Sequence, residues 1–250
     1  LELLATTWVR DRLPVRPPDA KKGTFGRVLI AGGSRQYVGA PRLAAEAAYR
    51  AGAGLVAVAC GPAVQAPLAT ALPEATYVLL PDTPALDDGG ASRIIEALPS
   101  ADVLLIGPGL SQEAGVREAV LRVLAAARGV AACVIDADAL NALAVTDGWP
   151  SVLPPRCVLT PHPGEMARLL GTTIAEVQGD RLNVAMRAAA EWRQVVVLKG
   201  AHTIVASPDG RACISPHANP LLAIGGTGDV LAGAIAGLIA QGADPFDAAA

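Results

Sequence analysis

Short apolar runs alternate with stretches of helical spacing along nearly the whole chain, and this alternation limits the fold more than any other feature. The runs are Arg27–Ala31, Leu55–Cys60, Thr76–Leu80, Val103–Ile106, Ala132–Ile135, Cys157–Leu159 and Val195–Leu198. A strand that is apolar at successive positions must be covered on both faces, which predicts a mostly parallel sheet between two helical layers. Helical spacing over Pro41–Ala51, Glu113–Ala127 and Arg181–Trp192 supplies candidates for those layers. Further on, Thr203–Ala206 and Arg211–Ile214 flank Pro208-Asp209-Gly210, a turn signal that predicts a hairpin. Val230–Ala243 carries no charge. It is shorter than the ~20 residues a bilayer requires, so it is expected to be a buried helix. With no repeat and no linker of biased composition, residues 1–250 are expected to form a single domain.

Composition narrows the classes of function. The formal net charge is -3, which offers no footprint for a phosphate backbone, so nucleic acid is not an expected partner. Aromatic residues are 3% of the chain, leaving Ala, Val, Leu and Ile to build the core. Cys60, Cys133, Cys157 and Cys213 are widely spaced in apolar stretches with no CxxC pair, as expected of buried free thiols in a reducing compartment. No basic-then-apolar leader opens the chain, and the expected location is cytoplasmic with no membrane partner. The chain starts without Met and stops at Asp247-Ala248-Ala249-Ala250, so both ends are expected to be trimmed or disordered.

In an open parallel sheet, ligands bind beyond the carboxyl ends of the strands. That rule selects Gly32-Gly33-Ser34, Gly107-Pro108-Gly109, Asp136-Ala137-Asp138, Thr160-Pro161-His162-Pro163-Gly164-Glu165 and Lys199-Gly200-Ala201-His202-Thr203. The sharpest segment is Gly225-Gly226-Thr227-Gly228-Asp229, which runs into an apolar helix. Its glycines let the backbone approach a ligand, and the free N–H groups of the helix start form an anion site. A carboxylate there repels phosphate, which makes sense if Asp229 takes a proton from a hydroxyl attacking that phosphate. The bland alternative is an Asp that caps the helix.

Lys199 follows the last apolar strand, whereas the other lysines, Lys21 and Lys22, sit on a polar segment. It is either a point charge for phosphate oxygens or a snorkelling surface lysine. No Gly-x-x-x-x-Gly-Lys-[Ser/Thr] occurs, and Gly32-Gly33 does not extend to Gly-x-Gly-x-x-Gly, which argues against a P-loop enzyme and a dinucleotide-fold dehydrogenase. His162, between Pro161 and Pro163, is a hydrogen-bonded structural group or a catalyst. Glu165 is a first-turn carboxylate favoured by the helix dipole, or a group that organises water and Mg²⁺ near phosphates. Asp136 and Asp138 are either paired acids or, for Asp138, the cap of the helix that follows.

Together these segments resemble the ADP/ATP-dependent NAD(P)H-hydrate dehydratases of the ribokinase-like superfamily. The likeness also takes in Lys22-Gly23, Gly26-Arg27-Val28, Gly33-Ser34 to Gly39-Ala40, Ala51-Gly52-Ala53-Gly54-Leu55-Val56, Gly107-Pro108-Gly109-Leu110 and Asp136-Ala137-Asp138-Ala139-Leu140-Asn141. Ile224 departs from it, standing where many relatives carry a small polar residue. The resemblance implies a ribokinase-like three-layer αβα fold and a hydro-lyase acting on the S epimer of hydrated NADH or NADPH. NAD(P)H would be restored as ADP becomes AMP and phosphate, with Mg²⁺ assisting. By the same resemblance the hydrated cofactor meets Ala40, Gly109, His162 and Asp229. The nucleotide lies along Lys199, Gly200, Ala201, His202 and Thr203, its phosphates at Gly228 in the Gly225-Gly226-Thr227 loop. Assembly as a homo-oligomer, a tetramer among the arrangements, and functional pairing with an NAD(P)H-hydrate epimerase are also implied. The rival reading is a ribokinase-like kinase of a vitamin precursor, which would share Asp229 but release a stable phosphorylated product.

Overall fold

In the computed structural model, which describes residues 1–250, ten strands form one sheet. They are β1 (Glu2–Leu3), β2 (Arg27–Ala31), β3 (Leu55–Cys60), β4 (Thr76–Leu79), β5 (Val103–Ile106), β6 (Ala132–Ile135), β7 (Cys157–Leu159), β8 (Val195–Leu198), β9 (Ile204–Ala206) and β10 (Ala212–Ile214). The helices are α1 (Thr6–Arg10), α2 (Gly39–Ala51), α3 (Pro62–Ala71), α4 (Asp88–Ala97), α5 (Val116–Ala126), α6 (Ala137–Ala144), α7 (Pro163–Leu170), α8 (Ile174–Gly179), α9 (Arg181–Trp192), α10 (Thr227–Ala240) and α11 (Pro245–Ala249). Strand order is β1-β10-β9-β8-β7-β6-β5-β2-β3-β4.

From β4 across to β8 every neighbouring pair is parallel, with Val28 opposite Val103 and Val134 opposite Val158 in the register. The expected hairpin is present as β9 and β10, and β9 also runs antiparallel to β8. The sheet is therefore mixed at that edge. Strand side chains alternate between two cores, as the twofold period of a strand requires. Leu29 and Ala31 join one core with α4, α5, α6, α7, α8 and α9. Val28 and Ile30 join the other with α2, α3, α10 and α11. These are the three layers expected from the continuous apolar strands.

Several boundaries shift by a residue or more. α2 begins at Gly39, and α5 is shorter than its apolar spacing suggested. Glu2 and Leu3 pair with Cys213 and Ile214, and Phe246 of α11 is buried against the sheet. All four cysteines are buried and free. No helix is long and apolar enough to cross a membrane.

The uncharged helix α10 owes its place to small residues. A Cβ on Gly233 would lie 2.1 Å from the Ala44 carbonyl oxygen, and one on Gly237 2.6 Å from that of Ala48. Only glycine lets α10 pack this closely on α2. This contact places the starts of both helices at one edge of the sheet, beside the carboxyl ends of β5 and β6.

Candidate active site

Two glycines after β5 shape the floor of that edge. Gly107 has φ +128°, and a Cβ there would fall 1.8 Å from the Asp136 carbonyl oxygen. Gly109 has φ +65°, and its absent Cβ would press on Tyr37 and Ala40 at 2.7 and 3.0 Å. Ala40 and Gly109, far apart in sequence, thus form one surface at the start of α2. Leu43, one turn further along α2, reaches within 2.5 Å of the Cβ position of Gly226 and ties this surface to the glycine loop.

α10 starts at Thr227 with Gly226 as its N-cap, in the left-handed region at φ +91°. Asp229 therefore lies inside the first turn and makes no capping hydrogen bond. The capping alternative is not the one adopted. Its carboxyl is pushed up to about 6, chiefly by burial and then by the neighbouring Asp136, with Asp138 adding to this and Lys199 opposing it. An ionised carboxylate at a helix N-terminus is normally favoured. Here burial among other acids outweighs that preference.

Lys199 is not a snorkelling surface lysine. Its Nζ lies 2.8 Å from Asp136 Oδ1 and 3.7 Å from Glu165 Oε2. It is also 3.4 Å from the position a Gly228 Cβ would take. The ammonium therefore stands at the first turn of α10, with Gly228 leaving the space between them open. The segment after it is a self-closed turn. Thr203 Oγ1 donates to the Gly200 carbonyl, and His202 is exposed at φ +54° with Nδ1 3.1 Å from the Ser215 carbonyl. Gly200, at φ +142°, lies against the guanidinium of Arg181, which donates to the carbonyls of Leu198 and Lys199. Ala201 and Gly225 are exposed on the rim. Thr227 turns its hydroxyl back onto the carbonyls of Leu222 and Ile224, and Ile224 is exposed to solvent.

His162 caps α7. Its Nδ1 accepts from the backbone N–H groups of Gly164 and Glu165, at 2.9 and 3.2 Å. Glu165 completes the box by accepting from His162 N at 2.7 Å through Oε2. Burial, with help from Lys199 and Arg168, holds the imidazole below its ordinary range against a smaller pull from Asp136. The ring is then neutral, and with Nδ1 accepting, its proton sits on Nε2. Burial raises the Glu165 carboxyl, against the pull of Lys199. No group of three acidic, His or Cys side chains could hold a metal ion. Mg²⁺ commonly keeps its waters and binds through one or two carboxylates plus substrate phosphates. Glu165 Oε1, which does not serve the cap, fits such a role through a water.

Asp138 does not cap the helix as expected from sequence. α6 begins one residue earlier, at Ala137, and Asp138 accepts from the Ser111 backbone N–H at 2.8 Å. Two groups escaped the sequence reading. The pairing of Asp136 with Lys199 spans 63 positions and has no local signature. Arg181 did leave a signal, since a cation at a helix start opposes the dipole and needs another reason to be there.

The site can hold a phosphate at the start of α10, place a cation on it and offer a carboxylate to an attacking hydroxyl. Residues 28–250 match the NAD(P)H-hydrate dehydratase family. The chain is 48% identical over 250 residues to the bifunctional NAD(P)H-hydrate repair enzyme Nnr of Moorella thermoacetica, covering 99% of this chain and 47% of that protein. It thus spans about half the length of that bifunctional relative. With the ADP-dependent (S)-NAD(P)H-hydrate dehydratase of Xanthomonas campestris it shares 40% identity over 238 residues, 94% of this chain and 80% of the other. A crystal structure of the ADP/ATP-dependent NAD(P)H-hydrate dehydratase of Bacillus subtilis, co-crystallised with ATP and Mg²⁺, superposes with a TM-score of 0.84. That pair is 36% identical, over 99% of this chain and 84% of the other.

Proposed function

The chain belongs to the NAD(P)H-hydrate dehydratase family, and from that membership we propose that it dehydrates the S epimer of hydrated NADH or NADPH at the expense of ADP. The observation that carries the reading is Asp229, a carboxylate with raised proton affinity in the first turn of α10 beside the Lys199 ammonium. The hydrated ring lies over Ala40 and Gly109, within reach of the His162 Nε2–H. Asp229 accepts the proton of the ring hydroxyl as its oxygen attacks the β-phosphorus of ADP. The bond from that phosphorus to the bridging oxygen breaks, and AMP leaves along Lys199, Gly200, Ala201, His202 and Thr203.

Lys199 and the N–H groups of the Gly225–Gly228 loop and α10 stabilise charge on the transferring phosphoryl group. Mg²⁺, when bound to the phosphates, neutralises further charge, with Glu165 reaching it through water. Hydroxide is a poor leaving group and phosphate a good one. The ring nitrogen lone pair then expels phosphate, the carbon–oxygen bond breaks, and a proton is lost from the adjacent carbon to restore the double bond of NAD(P)H. ADP as the preferred donor, a cytoplasmic location, self-association as a homo-oligomer and supply of the S epimer by an epimerase belong to the same proposal.

The test is turnover of hydrated NADH with ADP by the wild-type protein and by Asp229→Asn. The wild type should release one AMP and one phosphate for each NADH formed. Its kcat/KM should fall as pH drops through about 6, because the free carboxylate must be ionised to accept a proton. Asp229→Asn should lose about 10²–10⁴ in rate while still binding ADP. A stable phosphorylated product in place of free phosphate, or a variant keeping more than about a tenth of the turnover, would overturn the reading.

A further inference from the structure

Asp136 is held more firmly than its place in a loop requires. It is 1% exposed and closes β6, with Ala137 after it at φ +48°. Gly107 allows its main chain to approach β5. Thr160 at the end of β7 donates its hydroxyl to Oδ1 at 2.7 Å. The same oxygen receives Lys199 Nζ at 2.8 Å, while Oδ2 lies 3.8 Å from the Cβ position of Gly228. Left alone, a lysine on its flexible four-carbon stem would sample many positions. Three strand ends and one left-handed residue combine to give this lysine a single one.

We propose that Asp136 is a positioning residue for phosphoryl transfer, holding the Lys199 ammonium at the first turn of α10 where the transferred phosphate binds. This rests on the phosphoryl-transfer reading of the site. Asp136 touches neither substrate nor nucleotide in this role. It acts through Lys199, and its charge also bears on Asp229, which faces Asp136, Asp138 and Lys199. One buried carboxylate thereby aims the cation and raises the proton affinity of the base.

A double-mutant cycle with Asp136→Asn and Lys199→Met tests this, with ADP affinity measured by calorimetry and turnover by kinetics. Asp136→Asn is nearly isosteric and leaves Thr160 a partner. It should weaken ADP binding and lower kcat by about 10-fold or more, the scale of loss on removing a group that orients a metal ligand. Added to Lys199→Met, it should cost no more than about twofold further, because residues acting as one unit are not additive. The acid limb of its kcat/KM profile should move to lower pH, since a carboxylate facing Asp229 is gone. Thr160→Val, which removes the hydroxyl that bonds Asp136 at 2.7 Å and the Ile135 carbonyl at 3.3 Å but leaves the Asp136 carboxylate in place, should shift ADP affinity in the same direction by less. Additive losses in the cycle, or unchanged ADP affinity in a folded Asp136→Asn, would overturn the proposal. Should the wild type fail to dehydrate hydrated NADH, the proposed function falls, while the calorimetric cycle still decides whether Asp136 acts through Lys199.

Discussion

His162 serves the fold as the cap of α7, and in the proposed reading it serves a ligand as well. Its Nδ1 is used in capping α7, so Nε2, 3.6 Å from Glu165 Oε1, is the ring nitrogen left to meet a ligand. An alanine there would remove cap and contact together, and its effect on activity could not be assigned to either. Asparagine is among the preferred capping residues but ends short of the Nε2 position. His162→Asn is therefore expected to keep the melting temperature and ADP affinity near wild type while KM for the hydrated cofactor rises severalfold. A matching loss of ADP affinity, or a fall in stability of about 1 kcal/mol or more, would show that the cap is the residue's whole role. The sequence already marked Lys199, Glu165, His162 and Asp229 as candidates, because each follows a strand or opens a helix. It could not decide between their alternatives, since capping, ion pairing and burial depend on residues brought together from distant positions. Asp138 is the plainest case. The sequence favours a cap, yet its carboxylate is taken by the Ser111 N–H across the site.

At the scale of elements, strands were easier to read than helix starts. A buried strand is recorded in its own apolar run, and every run expected to be a strand is one, within a residue at either end. Helix starts depend on backbone conformation, and α10 begins at Thr227 because Gly226 adopts positive φ. The antiparallel pairing of β9 with β8 follows from the connection and not from apolar content, since the five residues between Leu198 and Ile204 are too few for a parallel crossover. What holds α10 to α2 is the absence of side chains at Gly233 and Gly237. Gly233→Ala would put a carbon 2.1 Å from a backbone oxygen that cannot move by rotating a side chain. Despite better helix propensity, it should destabilise the protein by about 1–3 kcal/mol. Gly179→Ala is the control, because nothing lies within 4 Å of that position in α8. It should be neutral or slightly stabilising. Thermal melts of the two variants that showed equal stability would contradict this account of the α2–α10 contact.

At the scale of the whole molecule, the ribokinase-like αβα architecture sets the order of the candidate segments along the carboxyl edge of the sheet. In the proposed reading, the nucleotide segment is the one at the end of β8 and the ring surface the one at β2 and β5, with Asp136 and Asp229 between them. Such an arrangement suits direct transfer of a phosphoryl group from one ligand to the other across the start of α10. It gives the reaction a signature that no simple loss of water would share, for the oxygen leaving the ring must depart as part of phosphate. Hydrated NADH carrying a heavy-oxygen label in its ring hydroxyl, turned over with ADP in unlabelled water, tests this directly by mass analysis of the products. The label is expected in the released phosphate, one atom for each NADH restored. Label recovered in water, with none in phosphate, would contradict phosphoryl transfer to the hydroxyl and the role given to Asp229.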